Sequence, residues 1–200
     1  MINPAKYPNH LLKLIDVLKK LPGVGSKSAE RFAFEMISWP ENRLREMAKI
    51  IEAVPAQMHH CPHCGCLTEE SCRFCKTNEK AHSICVVAKA KDVFSIGATN
   101  EYQGLYHVLG TLLSPMDGIG PDRLHIEKLL ERIQLHEIKE VIIALDSTLE
   151  GDATSLYLKS LLSPLNIKIS RLAFGLPMGS SLDYVDGGTL ARAFNARSHY

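Results

Sequence analysis

Apolar positions repeat at helical spacing through the first quarter of the chain, and as short continuous runs further on. In residues 10–20, Leu11, Leu14 or Ile15, Leu18 and Leu21 share one helical face, with Lys13, Asp16, Lys19 and Lys20 largely opposite. Pro22 stops that helix, and Gly23 and Gly25 permit a tight hairpin. Ser26 is placed to cap a second helix over about 27–37, with Ala29, Phe32, Ala33 and Met36 inward. A third helix follows Trp39-Pro40, with Leu44, Met47, Ala48, Ile51 and Val54 as a stripe that reads as core or, less favoured, as a partner surface. Pro55 is expected to end it. The period then changes. Ile84–Ala88, Tyr106–Leu109, Val141–Leu145 and Ile167–Leu172 read as buried strands. Helices are expected from about Asp92, over Asp122–Leu135, over Asp152–Leu162 and over Thr189–Asn195. Strands alternating with helices of this length imply βαβ units and a mainly parallel sheet.

Between the helical and βαβ regions lies Cys61-Pro-His-Cys64-Gly-Cys66-Leu-Thr-Glu-Glu-Ser-Cys72-Arg-Phe-Cys75, which holds five of the six cysteines. Two C-x-x-C knuckles, Cys61/Cys64 and Cys72/Cys75, offer four thiolates in the closed tetrahedral geometry of structural zinc. Cys66 and His63 are spare. His59, His60 and His63 could substitute as ligands but read better as solvated loop residues. Four thiolates leave no open position for catalysis, and a redox pair needs no second pair beside it. Cys85, in the first strand run, reads as a small buried hydrophobe.

Charge refines the helical region. Net charge is only +1, so no general pull toward nucleic acid or membrane follows. Residues 1–55 nevertheless hold nine Lys/Arg against six Asp/Glu, while residues 83–200 hold eleven against thirteen. Gly23 and Gly25 have no Cβ, so their amides can approach a phosphate closely. The following helix start adds unpaired N–H groups, and Lys27 and Arg31, four apart, can hold adjacent phosphates. This pattern favours backbone-reading, sequence-independent DNA contact at Gly23, Gly25, Lys27 and Arg31 over a plain helical hairpin.

In a parallel sheet, function gathers beyond the C-terminal strand ends. Glu150 and Asp152 lie just after the third strand run. They can share Mg2+, or Asp152 can simply cap its helix; the residues alone leave these even. A carboxylate at position 88 could complete a metal-assisted phosphoryl-transfer site, but the residue is Ala88. Residues 1–10 carry Pro4 and Pro8 and no apolar run, so neither a secretion leader nor a membrane span is expected, and a cytoplasmic location is.

The order LPGVGSKSAERFAF, four-cysteine module, ICVV, LSPMDGIGP, ALDSTLEGDAT and LAFGLPMGSSLDYVDGGTL resembles the RecR family of bacterial recombination mediators, across essentially the whole chain. The resemblance implies an α+β multidomain fold: a helix-hairpin-helix DNA-binding domain at 1–55, a four-cysteine zinc finger at 56–80, a Toprim domain at 81–175 and a C-terminal segment at 176–200. It implies a ring-like homo-oligomer, dimer or tetramer, that clamps double-stranded or gapped DNA at the bacterial nucleoid. It further implies a non-enzymatic role with RecO and RecF in loading RecA at gaps coated by single-strand-binding protein. Lys27 and Arg31 match the family's DNA-contacting helix, Cys61, Cys64, Cys72 and Cys75 its zinc ligands, and Glu150 and Asp152 its Toprim acidic pair. Two departures stand out: the linker between cysteine pairs is one residue shorter, and Ala88 replaces the glutamate that catalytic Toprim enzymes use for proton transfer. A Mg2+-dependent Toprim nuclease or primase-like enzyme is the alternative, and a zinc-dependent protein-interaction module a third reading.

Overall fold

The structure, a computed structural model, describes residues 7–76, 81–173, 176 and 179–197. It divides into two units, Met1–Gln57 and Met58–Tyr200. The expected α+β architecture is present, with a helical N-terminal part, a four-cysteine module and a parallel-sheet α/β part.

The first unit holds α1 (Asn9–Leu18), α2 (Ser26–Ile37) and α3 (Glu41–Gln57). Leu11 and Ile15 of α1 bury against Ala29 and Ala33 of α2, with Leu14, Leu18 and Val24 packed around them. Two alanines four apart let the helices meet closely, where larger residues would hold them apart. Ser26 is the first helical residue of α2 and not its cap; Gly25 occupies the cap position in an extended conformation. Phe32, expected inward, is exposed. The third helix departs further from expectation. Its stripe is not core: no residue of α3 is buried, and Ile50, Ile51 and Val54 are 62%, 59% and 50% exposed. Nor does Pro55 end the helix, which continues to Gln57. Helical spacing of apolar residues identifies a face but does not say what covers it, hence the misplaced core.

The second unit begins with a small antiparallel pair, β1 (His59–His60) and β2 (Leu67–Thr68), followed by the short helix α4 (Arg73–Lys76). Next come β3 (Ser83–Val87), α5 (Ala90–Gly97), β4 (Leu105–Val108), α6 (Ile126–Leu135), β5 (Glu140–Ala144), α7 (Leu149–Leu162), β6 (Lys168–Arg171) and α8 (Gly187–Asn195). The four strands β4-β3-β5-β6 pair in parallel throughout, with Val86 opposite His107 and Ile143. Alternation along β3 sends Ile84 and Val86 to one face, against Leu129 and Ile133 of α6 and Leu158 and Leu162 of α7. Cys85 and Val87 face the other way, toward Val93 of α5 and toward Cys61, Cys64, Cys66 and Cys72. Both faces are therefore covered, as a parallel sheet requires, and the cysteine module supplies part of the second cover.

Three helix starts differ from the periodicity. Around Asp122 there is only a 3-10 turn, Pro121–Arg123, and α6 starts at Ile126. Helix α7 starts at Leu149, capped by the Thr148 hydroxyl accepting from Gly151 N, so Asp152 is not the cap. Helix α5 starts at Ala90, with Asp92 accepting from Lys89 N at 2.8 Å. The end of the expected zinc segment, positions 77–80, and Phe174, Gly175, Pro177 and Met178 of the C-terminal motif lie outside the described residues.

Candidate functional site

In the first unit, Leu21, Pro22, Gly23 and Val24 close a turn in which Val24 N donates to Leu21 O at 3.1 Å. Proline second and a glycine at φ +78° third are the pattern of a type II turn, and that φ is what demands glycine at position 23. Gly25 is different. Its backbone is extended, at φ −79° and ψ 173°, and a Cβ there would meet nothing within 4 Å. The fold does not need glycine at 25, but a bare amide at the mouth of α2 does. Gly23, Gly25, Lys27 and Arg31 are all exposed. The Arg31 guanidinium lies 5.5 Å from the Phe32 ring centroid, which steadies it without consuming its N–H donors. The structure places on this face two exposed cations one helical turn apart, beside two exposed glycines.

In the second unit, the sulfurs of Cys61, Cys64, Cys72 and Cys75 all lie within 4.8 Å of one another. The Cys61–Cys75 and Cys64–Cys72 separations are 3.9 and 3.5 Å. Zinc–sulfur bonds of about 2.3 Å in a tetrahedron place sulfurs about 3.8 Å apart, close to the two separations here, so the donor set suits zinc. The Cys75 sulfur and burial together push the Cys64 thiol well above its usual range, and burial, then Cys64, pushes Cys72 up to about 11. A divalent cation among the four sulfurs would favour the thiolate at Cys64 and Cys72 and so oppose that upward push. Cys66 is buried beside the group but is not one of the four; its carbonyl accepts from Cys61 N at 2.7 Å and shapes the knuckle. His59, His60 and His63 stay outside the group, and His60 Nδ1 instead sits 3.0 Å from Gly65 O. Cys85 is an inert core thiol, pushed up to about 12 by burial. The knuckle is seated on the sheet by Val108 N donating to Cys64 O at 2.8 Å. Gly65 makes that seat possible: a Cβ on it would fall 3.0 Å from Val108 Cβ.

The acidic pair sits in the first turn of α7. Gly151, between the two carboxylates, is buried, and a Cβ there would fall 1.9 Å from Asp146 O. Glycine thus lets α7 start directly against the end of β5, which sets where both carboxylates stand. Asp152 is fully engaged. Its Oδ1 accepts from Arg171 Nη2 at 2.6 Å and its Oδ2 from Arg192 Nη2 at 3.0 Å. Arg171, with Arg192 behind it, holds the Asp152 carboxyl below the ordinary carboxylate range. Arg192 also donates to the Ser147 hydroxyl, so one side chain of α8 ties the C-terminal helix to the β5–α7 turn. Glu150 is exposed, and Ala88 is buried at the end of β3. A cation at this pair would have to displace an arginine. Arg171 and Arg192 escape a sequence reading because they stand 19 and 40 residues from Asp152. The one signal for Gly151 is a glycine inside a helix start, where glycine is otherwise costly.

The hairpin belongs to one unit, and the cysteines and the acidic pair to the other. Among the described residues no helix is long and apolar enough to cross a membrane.

Comparison with known proteins follows the same division. Residues 11–54 match the model described as RecR, helix-hairpin-helix; residues 82–173 match the Toprim domain; residues 175–198 match RecR, C-terminal. A protein of Protochlamydia amoebophila (strain UWE25) named Recombination protein RecR is 59% identical over 197 residues, covering 98% of this chain and 100% of its own length. A protein of the same name from Chlamydia abortus is 49% identical over 200 residues, covering 98% and 99%. Another from Bifidobacterium longum subsp. infantis is 48% identical over 193 residues, covering 96% of each.

Proposed function

Because the chain belongs to the RecR family of recombination proteins, we propose that it is a non-enzymatic DNA clamp of recombinational repair, acting with RecO and RecF to load RecA at single-strand gaps. The observation that carries this is the face formed by Gly23, Gly25, Lys27 and Arg31: bare amides at a helix mouth with two exposed cations one turn on. Such a face holds phosphates and ignores bases, as a protein serving any gap must. Structural zinc at Cys61, Cys64, Cys72 and Cys75 supports the second unit and takes no part in chemistry. The protein works in the cytoplasm, at the nucleoid, as a dimer or tetramer around double-stranded or gapped DNA. Two features weigh against a Mg2+-dependent Toprim nuclease or primase-like enzyme. Ala88 offers no carboxylate beside the acidic pair, and both Asp152 oxygens are already neutralised by arginines.

The test is the double substitution Lys27→Ala and Arg31→Ala, with affinity for gapped and duplex DNA measured across a salt series. Removing two phosphate contacts should lower the slope of log affinity against log salt by about 1.8. Affinity should fall equally on unrelated sequences, and the same DNAs should survive incubation with Mg2+ uncut and unextended. An unaltered salt slope in the double variant would remove DNA contact from this helix.

A further inference from the structure

A cavity of about 370 Å³ opens where the zinc knuckle meets the C-terminal ends of β3 and β4. Its lining residues all belong to the second unit and none to the hairpin, so it is not the face on which the function proposed above rests. Its side-chain chemistry is one-sided. His60, His63, Lys89, His107, His125 and Lys128 line it, and among the described residues no Asp or Glu does. Two lysines reach it from different elements: Lys89 at the cap of α5, Lys128 in the first turn of α6. Lys128 Nζ spends one N–H on Pro62 O at 3.2 Å, leaving two for an occupant.

The floor adds a charge of its own. His107 is buried, 1% exposed, and its Nε2 bonds His125 O at 2.9 Å. Burial and the neighbouring Arg132 push His107 down to about 4, so its ring is neutral. Behind it lies Arg132, 6% exposed, donating to Tyr106 O and standing 3.4 Å from His107 Nδ1. No carboxylate lies within ion-pair distance of this guanidinium among the described residues. A buried cation without a counter-ion is costly, and an anion on the far side of a neutral imidazole offsets that cost. Cys61 also borders the cavity, but it is only 5% exposed, so the wall shows imidazoles and a backbone carbonyl more than sulfur.

Size narrows the occupant. The volume falls in the range that takes a small organic ligand, more than a lone oxyanion needs. Flat imidazole rings on the walls provide stacking surface for a base, and the lysines provide for a phosphate. The geometry points to a binding site for a single nucleotide carrying a terminal phosphate, held by Lys89 and Lys128, in this cavity. The same chemistry is presented by a free nucleoside monophosphate and by the 5′-phosphorylated end of a DNA strand.

The experiment uses the full-length, zinc-loaded chain carrying Lys27→Ala and Arg31→Ala, so that the hairpin cannot report in its place. Binding is measured calorimetrically for thymidine 5′-monophosphate, for thymidine, and for one oligonucleotide with a 5′-phosphate or a 5′-hydroxyl. Saturable binding of the monophosphate, with thymidine at least tenfold weaker, assigns the site to free nucleotides. Binding of the 5′-phosphorylated oligonucleotide alone, tenfold over its 5′-hydroxyl twin, assigns it to strand ends. In either case Lys89→Ala should weaken binding at least tenfold, while zinc content and thermal unfolding stay unchanged. Lys89 is the chosen position because Lys128 also helps seat the knuckle; Lys168→Ala, on β6 and outside the cavity, is the control. Equal binding with and without phosphate, no binding of any probe, or full affinity in the Lys89→Ala protein would overturn the assignment.

Discussion

Gly23 and Gly25 sit two residues apart in the same turn and do different work. Gly23 holds φ +78°, a conformation in which any Cβ crowds the following carbonyl. Gly25 is extended, with open space where a Cβ would go. Alanine at 23 should therefore destabilise the first unit by about 1 kcal/mol. Alanine at 25 should be neutral, or stabilising by about 0.4–1 kcal/mol through the unfolded chain. For DNA the order reverses. Under the proposed DNA contact a methyl group at 25 would stand where a phosphate approaches the helix mouth, so Gly25→Ala should lose affinity several-fold while melting at or above the wild-type temperature. Parallel melting curves and DNA titrations decide it. Undiminished DNA binding by a stable Gly25→Ala protein would mean that no phosphate comes to that amide.

At the scale of elements, the four-cysteine knuckle belongs to the sheet as much as to any metal it holds. Its cysteines share one packed cluster with Cys85 and Val87 of β3, Tyr106 and Val108 of β4, and Val93 of α5. Only 15 residues carry the four cysteines, too few to bury a core of their own, so a bound metal would supply ordering free energy. Chelating zinc should therefore uncover one face of a parallel sheet that needs both faces covered. The expected result is a fall in the second unit's melting temperature of about 10 °C or more, equivalent to a few kcal/mol. DNA contact through Lys27 and Arg31 should suffer later than folding. A metal-free protein with unchanged melting would show the knuckle to be an ornament on a self-sufficient sheet. The knuckle and the strands are legible in the chain because their signals are local: two C-x-x-C pairs, and β-branched runs buried on both faces. Periodicity places the start of α7 three residues late, because Thr148 caps it and leaves no periodic trace. Sequence alone leaves Asp152 between metal ligand and helix cap, whereas its contacts are two arginines. Those arginines come from β6 and α8, and no window along the chain contains all three residues.

For the whole molecule, the stripe on α3 and the modest charge bear on the same question. Ile50, Ile51 and Val54 are apolar, close along one helix and at least half exposed, with Ile37 of α2 57% exposed as well. Exposed apolar surface of that kind marks a contact between chains more often than a free face. Net charge of +1, with nine Lys/Arg against six Asp/Glu in residues 1–55, implies that the proposed DNA contact of each copy is weak. Joining copies through α3 would turn several weak holds into one strong one, since each later contact forms at high effective concentration. Two measurements on one variant separate these ideas. Ile51→Glu with Val54→Glu should leave the fold intact, because neither side chain is buried. If the proposed assembly forms through α3, the variant should be monomeric in solution while the parent runs as a dimer or tetramer. Its DNA affinity should drop by about 10²-fold or more although Lys27 and Arg31 are untouched. If the parent is itself a monomer at working concentrations, or if the monomeric variant grips DNA as tightly as the parent, the clamp has to be abandoned. A single chain would then have to hold its DNA with the four residues at the mouth of α2 alone.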